Sequence, residues 1–401
     1  MKSSGNIDSR IALRVPPAHH RGFSLIELMV GMLISLICVL AIMSAFAVYE
    51  GQKRTTTSGD DAQQNGSFSL FELERQIRTA GSGIVQGKNY SVWGCPITAL
   101  TAANMPAPFN DAALSMPATT LAMPVLITSG GANPDVISVI GGNASQQVFK
   151  IGVVSAPNAT SVVVGNDFGL FSGDYLLGTM TNGSCAIGQI TPTATPTQIT
   201  STNITLSAAN TTVTGLENAV NMFDLGPSPV FSLFGVDPTT NSLVEFDQLQ
   251  RATGVGTNTG TDTGTTPGTI PIADGIVQLK ALYGIHNVGD PSTESPYAVD
   301  AWVQPTGATW GISALTASTA AAQAAIGNIV AIRVAVVAQS RLPEQTSTYA
   351  TGSYTSGKTS LTLFPDLGAA LQYTVATQIQ YRYKVYDTTI PIRNAYITQF
   401  F

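Results

Sequence analysis

The sequence is poor in charge. Asp, Glu, Lys and Arg make up 10% of its 401 residues, against about 25% in ordinary soluble domains. Histidine is scarcer still, with His19, His20 and His286 the whole supply, and cysteine is limited to Cys38, Cys95 and Cys185 with no CxxC spacing. Each shortage excludes a class of function. A His-rich zinc centre cannot be assembled. A Ser-His-Asp or Cys-His pair beyond the N-terminal segment would have to use His286 alone. No Lys/Arg block occurs and the formal charge is −6, so no nucleic-acid footprint is visible and no nucleic-acid partner is expected. The carboxylates are scattered, Asp60 and Asp61 being the one adjacent pair, and no EF-hand loop is present. No metal, no cofactor and no enzymatic activity are expected. What is there instead is a 44% hydrophobic fraction with 38 Gly and abundant Thr, Ser and Asn. That is unlike a charge-rich disordered tail and suits a β-rich extracytoplasmic protein with polar loops.

The strongest signal is at the N-terminus. Residues 23–48 read FSLIELMVGMLISLICVLAIMSAFAV, with Glu27 the single charge. As a helix this run would be roughly 39 Å long, enough to cross a hydrocarbon core of about 30 Å. Lys2, Arg10, Arg14 and Arg21 precede it, against Asp8 alone. That bias puts the N-terminus in the cytoplasm and the large C-terminal part outside. A plain anchor and a secretory signal peptide are the bland readings, and Ala45-Phe46-Ala47 does offer an A-x-A cleavage site. Against the signal peptide, the run exceeds the usual h-region of 7–15 residues. Glu27 also costs several kcal/mol in a membrane unless it is paired, so it asks for a nearby cation. A cut between Gly22 and Phe23 would supply one, an α-amino group four residues before Glu27.

The segment Arg21-Gly22-Phe23-Ser24-Leu25-Ile26-Glu27-Leu28-Met29-Val30 closely resembles the type IV prepilin processing motif. The resemblance implies an aspartyl prepilin peptidase that cuts after Gly22 and N-methylates Phe23, with Glu27 as the assembly carboxylate. The leader of 22 residues departs from the short leaders common in type IVa major pilins. Further blocks resemble the PilW family of large minor pilins: Asp61-Ala62-Gln63 with Asn65-Gly66, the run from Glu74 to Gly81, Ala273-Asp274-Gly275-Ile276, the run from Asn328 to Val334, and Ile392-Arg393-Asn394. The middle of the chain is carried by pattern only.

The expected fold class is α+β, pilin-like: a long N-terminal transmembrane and amphipathic helix packed on a β-rich extracytoplasmic domain. The expected parts are a cleaved leader (1–22), a membrane helix (23–50), its amphipathic continuation (51–81) and a periplasmic globular domain (82–401) with a flexible loop at 253–269. In the continuation, Leu70, Leu73, Ile77 and Ala80 fall on one helical face, Glu74 and Arg78 form an i,i+4 pair, and Gly81, Ser82 and Gly83 stop the helix. Gly51, residues 55–59 and Gly66 have weak helix propensity and could mark a flexible middle. Short β-branched runs at 135–140, 147–154, 161–164, 173–177, 185–190, 198–206 and 242–246 read as strands, as do 328–337 and 378–386. Residues 272–283 read as a short helix, with Ile276, Leu279 and Tyr283 on one side. Cys95 and Cys185 lie beside predicted strands in an oxidising space and are a candidate disulfide, two free thiols being the alternative.

Other motifs carry less. Gly352 to Thr359 fits G-x-x-x-x-G-K-[ST], but a polar stretch precedes it and Pro365 follows closely. The strand and helix a phosphate loop requires are missing, so it reads as a chance match. Trp93, Trp302 and Trp310 fit core packing better than a sugar-binding face, and His286 reads as structural. The leading functional expectation is a minor pilin that helps initiate or cap a type IV pilus. Its expected partners are prepilin peptidase, other minor and major pilins and the inner-membrane assembly platform. It would reside in the bacterial inner membrane and then in the surface fibre. Alternatives are a minor pseudopilin of a type II secretion system, or a secreted enzyme or lectin released after Ala47. A bulkier residue before the scissile bond should not fit the peptidase, so Gly22→Val is expected to leave an uncut precursor in the membrane. N-terminal sequencing of that variant checks this, and a normal Phe23 terminus would overturn it.

Overall fold

The longest element is helix α1, Leu25–Thr79. A computed structural model describes residues 22–87, 89–90, 92–101, 105–111, 114, 116–117, 119–144, 150–155, 157–158, 160–207, 216–249, 268–286, 298–317, 319–343 and 359–394. The chain divides into two units, Met1–Arg54 and Thr55–Phe401.

In the first unit α1 is apolar on every side. Leu25, Ile26, Met32, Leu33, Leu40, Ile42 and Phe46 are all more than 60% exposed. A helix that is hydrophobic all round is one that lies in a core or in a membrane, and among the described residues none buries this one. Its hydroxyls are folded back on the helix: Ser35 Oγ donates to Met32 O and Ser44 Oγ to Ala41 O, each at 2.8 Å. That satisfies both groups without water.

In the second unit the helix becomes one-sided. Ser58, Ala62, Gly66, Ser69, Leu73, Ile77 and Ala80 are buried, at spacings of three and four residues that make a single stripe. Gly66 is a contact glycine rather than a weak point: a Cβ there would stand 2.3 Å from Tyr386 Cε2. Gly51, Gly59 and Gly66 all lie within the helix, and the boundary between the two units, Arg54 to Thr55, falls in the stretch of weak helix propensity. Glu74 and Arg78 pair as expected. Carbonyls freed at the helix end find partners, with Asn394 Nδ2 donating to Thr79 O and Ala80 O, while Gly81 N donates to Ile140 O.

The stripe packs on strands of three sheets. A four-stranded antiparallel sheet runs β15-β14-β16-β19, with β14 Ile276–Ile285, β15 Ala301–Val303, β16 Ile329–Gln339 and β19 Tyr383–Pro391. A five-stranded sheet runs β13-β12-β11-β4-β3, with β3 Val125–Thr128, β4 Val136–Gly141, β11 Val230–Asp237, β12 Ser242–Asp247 and β13 Ile270–Asp274. An eight-stranded sheet contains β1 Cys95–Thr101, β2 Thr119–Ala122, β5 Ile151–Ser155, β6 Ser161–Val164, β7 Tyr175–Met180, β8 Cys185–Gln189, β9 Asn203–Thr205 and β10 Ala219–Gly226. A hairpin of β17 Ser360–Leu363 and β18 Tyr373–Ala376 supplies Leu363 and Val375 against Leu282, Ala335 and Val337. Strands β14 and β16 are therefore buried on both faces, one toward α1 and one toward the hairpin. Three short helices, α2 Gly307–Trp310, α3 Ile312–Leu315 and α4 Ala320–Gly327, lie between β15 and β16.

The α+β class holds. The helix expected over 272–283 does not: the segment is the end of β13, a turn at Gly275 and β14. Gly275 has φ +73°, and a Cβ there would meet Gln339 O at 2.8 Å, so the chain breaks and changes sheets. Helical spacing of Ile276, Leu279 and Tyr283 was misleading because nearly every residue of β14 is buried, so any period finds apolar positions. The strand expected over 378–386 begins only at Tyr383. A turn closed by Tyr381 N to Gln378 O precedes it, and Ile379 stays 43% exposed. The expected loop at 253–269 lies, up to residue 267, outside the described residues.

Asp224 on β10 is 1% exposed. Its Oδ1 accepts from Gly226 N at 2.8 Å, and Oδ2 has no hydrogen-bond partner among the described residues. Burial pushes the carboxyl up to about 7, and the nearby Asp174 adds to the rise. A carboxyl whose folded pKa is raised binds its proton more tightly when folded, so its contribution falls as pH rises from about 4 to about 7. The full shift corresponds to roughly 4 kcal/mol at most. Asp224→Asn keeps the Gly226 contact and removes the ionisation. The variant is expected to gain stability over wild type between pH 5 and pH 8, read from denaturation midpoints at both. An equal difference at the two pH values would contradict the assignment.

Candidate functional site

The residues expected to be processed sit at the start of α1. Gly22 precedes the helix, and no described residue comes within 4 Å of the Cβ position it lacks. Phe23 is 83% exposed. Leu28 N donates to Ser24 O at 3.1 Å, the first bond of the helix. The Gly22–Phe23 peptide is thus outside the helical ladder, as a bond entering a peptidase cleft needs to be. Glu27 lies in the first turn of α1, where a carboxylate interacts favourably with the positive end of the helix dipole. It is exposed and makes no ion pair among the described residues. It stands at one end of an apolar run that holds no other charge before Glu50. Ala45-Phe46-Ala47 lies in mid-helix, with its backbone in the ladder. The 18-residue window of this helix with mean hydropathy 2.7 makes it long and apolar enough to cross a membrane.

In the second unit the structure joins Cys95 and Cys185 in a disulfide, with Cα atoms 5.7 Å apart. Strand β1 runs parallel to β8 through the Ile97–Cys185 bridge, and both cysteines are buried in the main core. Cys38 is free and exposed on the apolar part of α1.

The remaining candidates have structural roles. Trp93 is buried, with Nε1 donating to Ile84 O at 3.2 Å. Trp302 and Trp310 pack partly buried against the cores. His286 is buried beside Asp300, its Nδ1 3.1 Å from Asp300 Oδ2. Residues 352–358 of the phosphate-loop match lie outside the described residues. Among the described residues no group of three or more His, Cys, Asp or Glu is placed to hold a metal.

Two features had no signal in the sequence. A polar cleft of about 460 Å³ opens between Asp61 and Asn65 of α1 and the turns at Asn241, Asp274 and Arg341. A fully buried ion pair joins Lys280 to Asp135 across a sequence gap that no spacing rule covers.

Comparison with protein families gives two matches. The model of the type IV pilus-assembly protein W family, PilW, matches residues 236–394, the region from the end of β11 through β19. The prokaryotic N-terminal methylation motif matches residues 17–43, which contain Gly22, Phe23 and Glu27. No curated protein and no solved structure matches the chain. The chain therefore carries a PilW-type region and a prepilin-type N-terminus, the features of a type IV pilus-related pilin, on a helix suited to membrane anchoring.

The disulfide closes a loop with a sequence separation of 90, worth roughly 4–5 kcal/mol on the chain-entropy account. Alkylation of the denatured, unreduced protein is expected to label Cys38 and spare Cys95 and Cys185, with the latter two labelled only after reduction. Labelling of both without reductant would show that the bridge does not form.

Proposed function

We propose, from a PilW-type region joined to a prepilin-type N-terminus, that the protein is a minor pilin, a non-enzymatic subunit that helps initiate or cap type IV pilus assembly. The observation that carries this reading is the arrangement at the start of α1. An exposed Phe23 precedes the first helical bond, and Glu27 is the lone charge on a stretch of helix whose apolar side chains are exposed among the described residues. Prepilin peptidase removes residues 1–22 and methylates Phe23. Residues 23–50 then anchor the subunit in the inner membrane. Residues 51–81 continue the helix into a periplasmic domain formed by 82–401, with the Cys95–Cys185 bridge formed in that oxidising space. The four basic residues before the helix, Lys2, Arg10, Arg14 and Arg21, support this orientation. Pilin families are in general structural, and the shortage of His and of clustered carboxylates fits a subunit without catalytic machinery.

Assembly follows from the electrostatics of Glu27. A carboxylate at membrane depth is tolerated only when paired, and a neighbouring pilin brings the α-amino group of its own processed terminus. Pairing occurs in one register, so the charge selects how each subunit docks beside other minor and major pilins on the assembly platform, and the finished fibre carries the subunit to the cell surface.

Glu27→Val removes the charge without touching the cut site. Leader cleavage and membrane insertion are expected to survive, while co-purification with partner pilins and fibre counts fall at least about tenfold, as the loss of roughly 1.4 kcal/mol or more of pairing free energy would give. Fibres at wild-type number in a Glu27→Val strain would reject the assembly role.

A further inference from the structure

Among the described residues, Lys280 and Asp135 are the one ion pair with both side chains buried, at 1% and 0% exposure. Lys280 is on β14 and Asp135 immediately precedes β4. The Nζ atom is 2.7 Å from Asp135 Oδ1, 2.8 Å from Gly131 O and 2.6 Å from Asn133 O. Asp135 is held from three sides. Gly130 N donates to Oδ1 at 2.9 Å, Ala281 N donates to Oδ2 at 3.1 Å, and Asp135 N donates to Leu279 O at 2.8 Å. The Tyr373 ring centroid lies 4.9 Å from Nζ, and its buried hydroxyl has no hydrogen-bond partner among the described residues.

Two charges in such a site carry a desolvation cost of several kcal/mol each. Moving one proton from the ammonium to the carboxylate removes both charges. Burial pushes the Asp135 carboxyl up, against the pull of Lys280 and of the two backbone N–H groups, which is the direction this transfer requires. The neutral amine keeps two N–H bonds, one for Gly131 O and one for Asn133 O, and its lone pair is left for the carboxyl group. The donors on the carboxyl oxygens are fixed backbone N–H groups, the kind of dipole that stabilises the oxyanion of a tetrahedral intermediate. The nitrogen is held 2.7 Å from Oδ1 of the carboxyl it would attack, and well-oriented intramolecular reactions reach effective molarities of about 10⁵–10⁸ M.

We propose that Lys280 Nζ and the Asp135 carboxyl condense into an intramolecular isopeptide bond. The amine lone pair forms the N–Cγ bond. One carboxyl oxygen leaves as water, taking the acid proton and one proton from nitrogen. The product amide keeps one N–H, and no electron is transferred to or from the site. Its carbonyl oxygen still accepts from a backbone N–H, and its N–H still faces the carbonyl pair of Gly131 and Asn133. Both side chains are buried, which limits the access of water for the reverse hydrolysis once the released molecule has left. The bond would tie the five-stranded sheet, entered through β4, to the four-stranded sheet, centred on β14 and β16. It is independent of the assembly role and of the Cys95–Cys185 bridge.

The test is the mass of the full-length processed protein, denatured and reduced. Reduction takes the disulfide out of the balance, and N-methylation adds about 14 Da in every variant. The wild type is expected to fall about 18 Da, one water, below the linear sequence, and digestion is expected to yield a branched peptide linking the segments that carry Asp135 and Lys280. Lys280→Arg keeps the charge and the donors but offers no condensing amine, so its expected mass is that of the linear chain. An unshifted wild-type mass would overturn the proposal. So would an 18 Da loss with the two segments recovered as separate linear peptides, which marks a succinimide elsewhere, or an equal loss in Lys280→Arg. If that variant does not fold, the wild-type mass and digest decide alone.

Discussion

The second unit depends on the burial of one stripe of α1. Ala62, Leu73, Ile77 and Ala80 share a core with Ile127, Ile137 and Ile140 of the five-stranded sheet, Ile97, Leu177 and Phe223 of the eight-stranded sheet, and Leu279, Ile332 and Val336 of the four-stranded sheet. Each sheet offers the stripe one apolar face, and a sheet with an apolar face must cover it. The helix is the common cover. Its side chains there are small or fully inserted, and Gly66 lets the Tyr386 ring reach the backbone. A larger residue in the stripe would disturb more than one sheet.

Much of this was legible from residues alone. The apolar run, the charge bias around it and the positions of Gly22, Phe23 and Glu27 are local signals, read from consecutive residues. The i, i+3, i+7 face ending at Ala80 is local too. Legibility ended where burial is two-sided. Periodicity separates helix from strand only when one face is polar, and β14 has almost no polar face, so Ile276, Leu279 and Tyr283 suggested a helix that is a strand. The contact at Gly66 was out of reach for a related reason. Its propensity speaks for a weak helix, while its role is set by Tyr386, more than three hundred residues later.

The buried polar groups belong to the same lesson. Lys280, Asp135 and Asp224 sit in sequence contexts that look like ordinary strands and turns, and only tertiary contact reveals what surrounds each. Lys280 has three oxygen partners, so it is compatible with a close-packed interior. Asp224 has one satisfied oxygen and one orphan, which makes it a place where the fold gives up stability at neutral pH.

The way α1 is fastened bears on mechanics. Ser58 Oγ accepts from Leu342 N, Lys384 Nζ donates to Gln63 Oε1, and Asn394 Nδ2 holds the carbonyls at the helix end. These bonds are spread along the helix, from Ser58 to Ala80, on and beside the buried stripe. A tensile force along the α1 axis would load them side by side, in shear, rather than peel them one after another. Survival under such a force is set by the rate of unfolding rather than by equilibrium stability, so what counts is how many of these bonds must break together. The geometry that buries the helix thus also sets which bonds a pull on it must break at once.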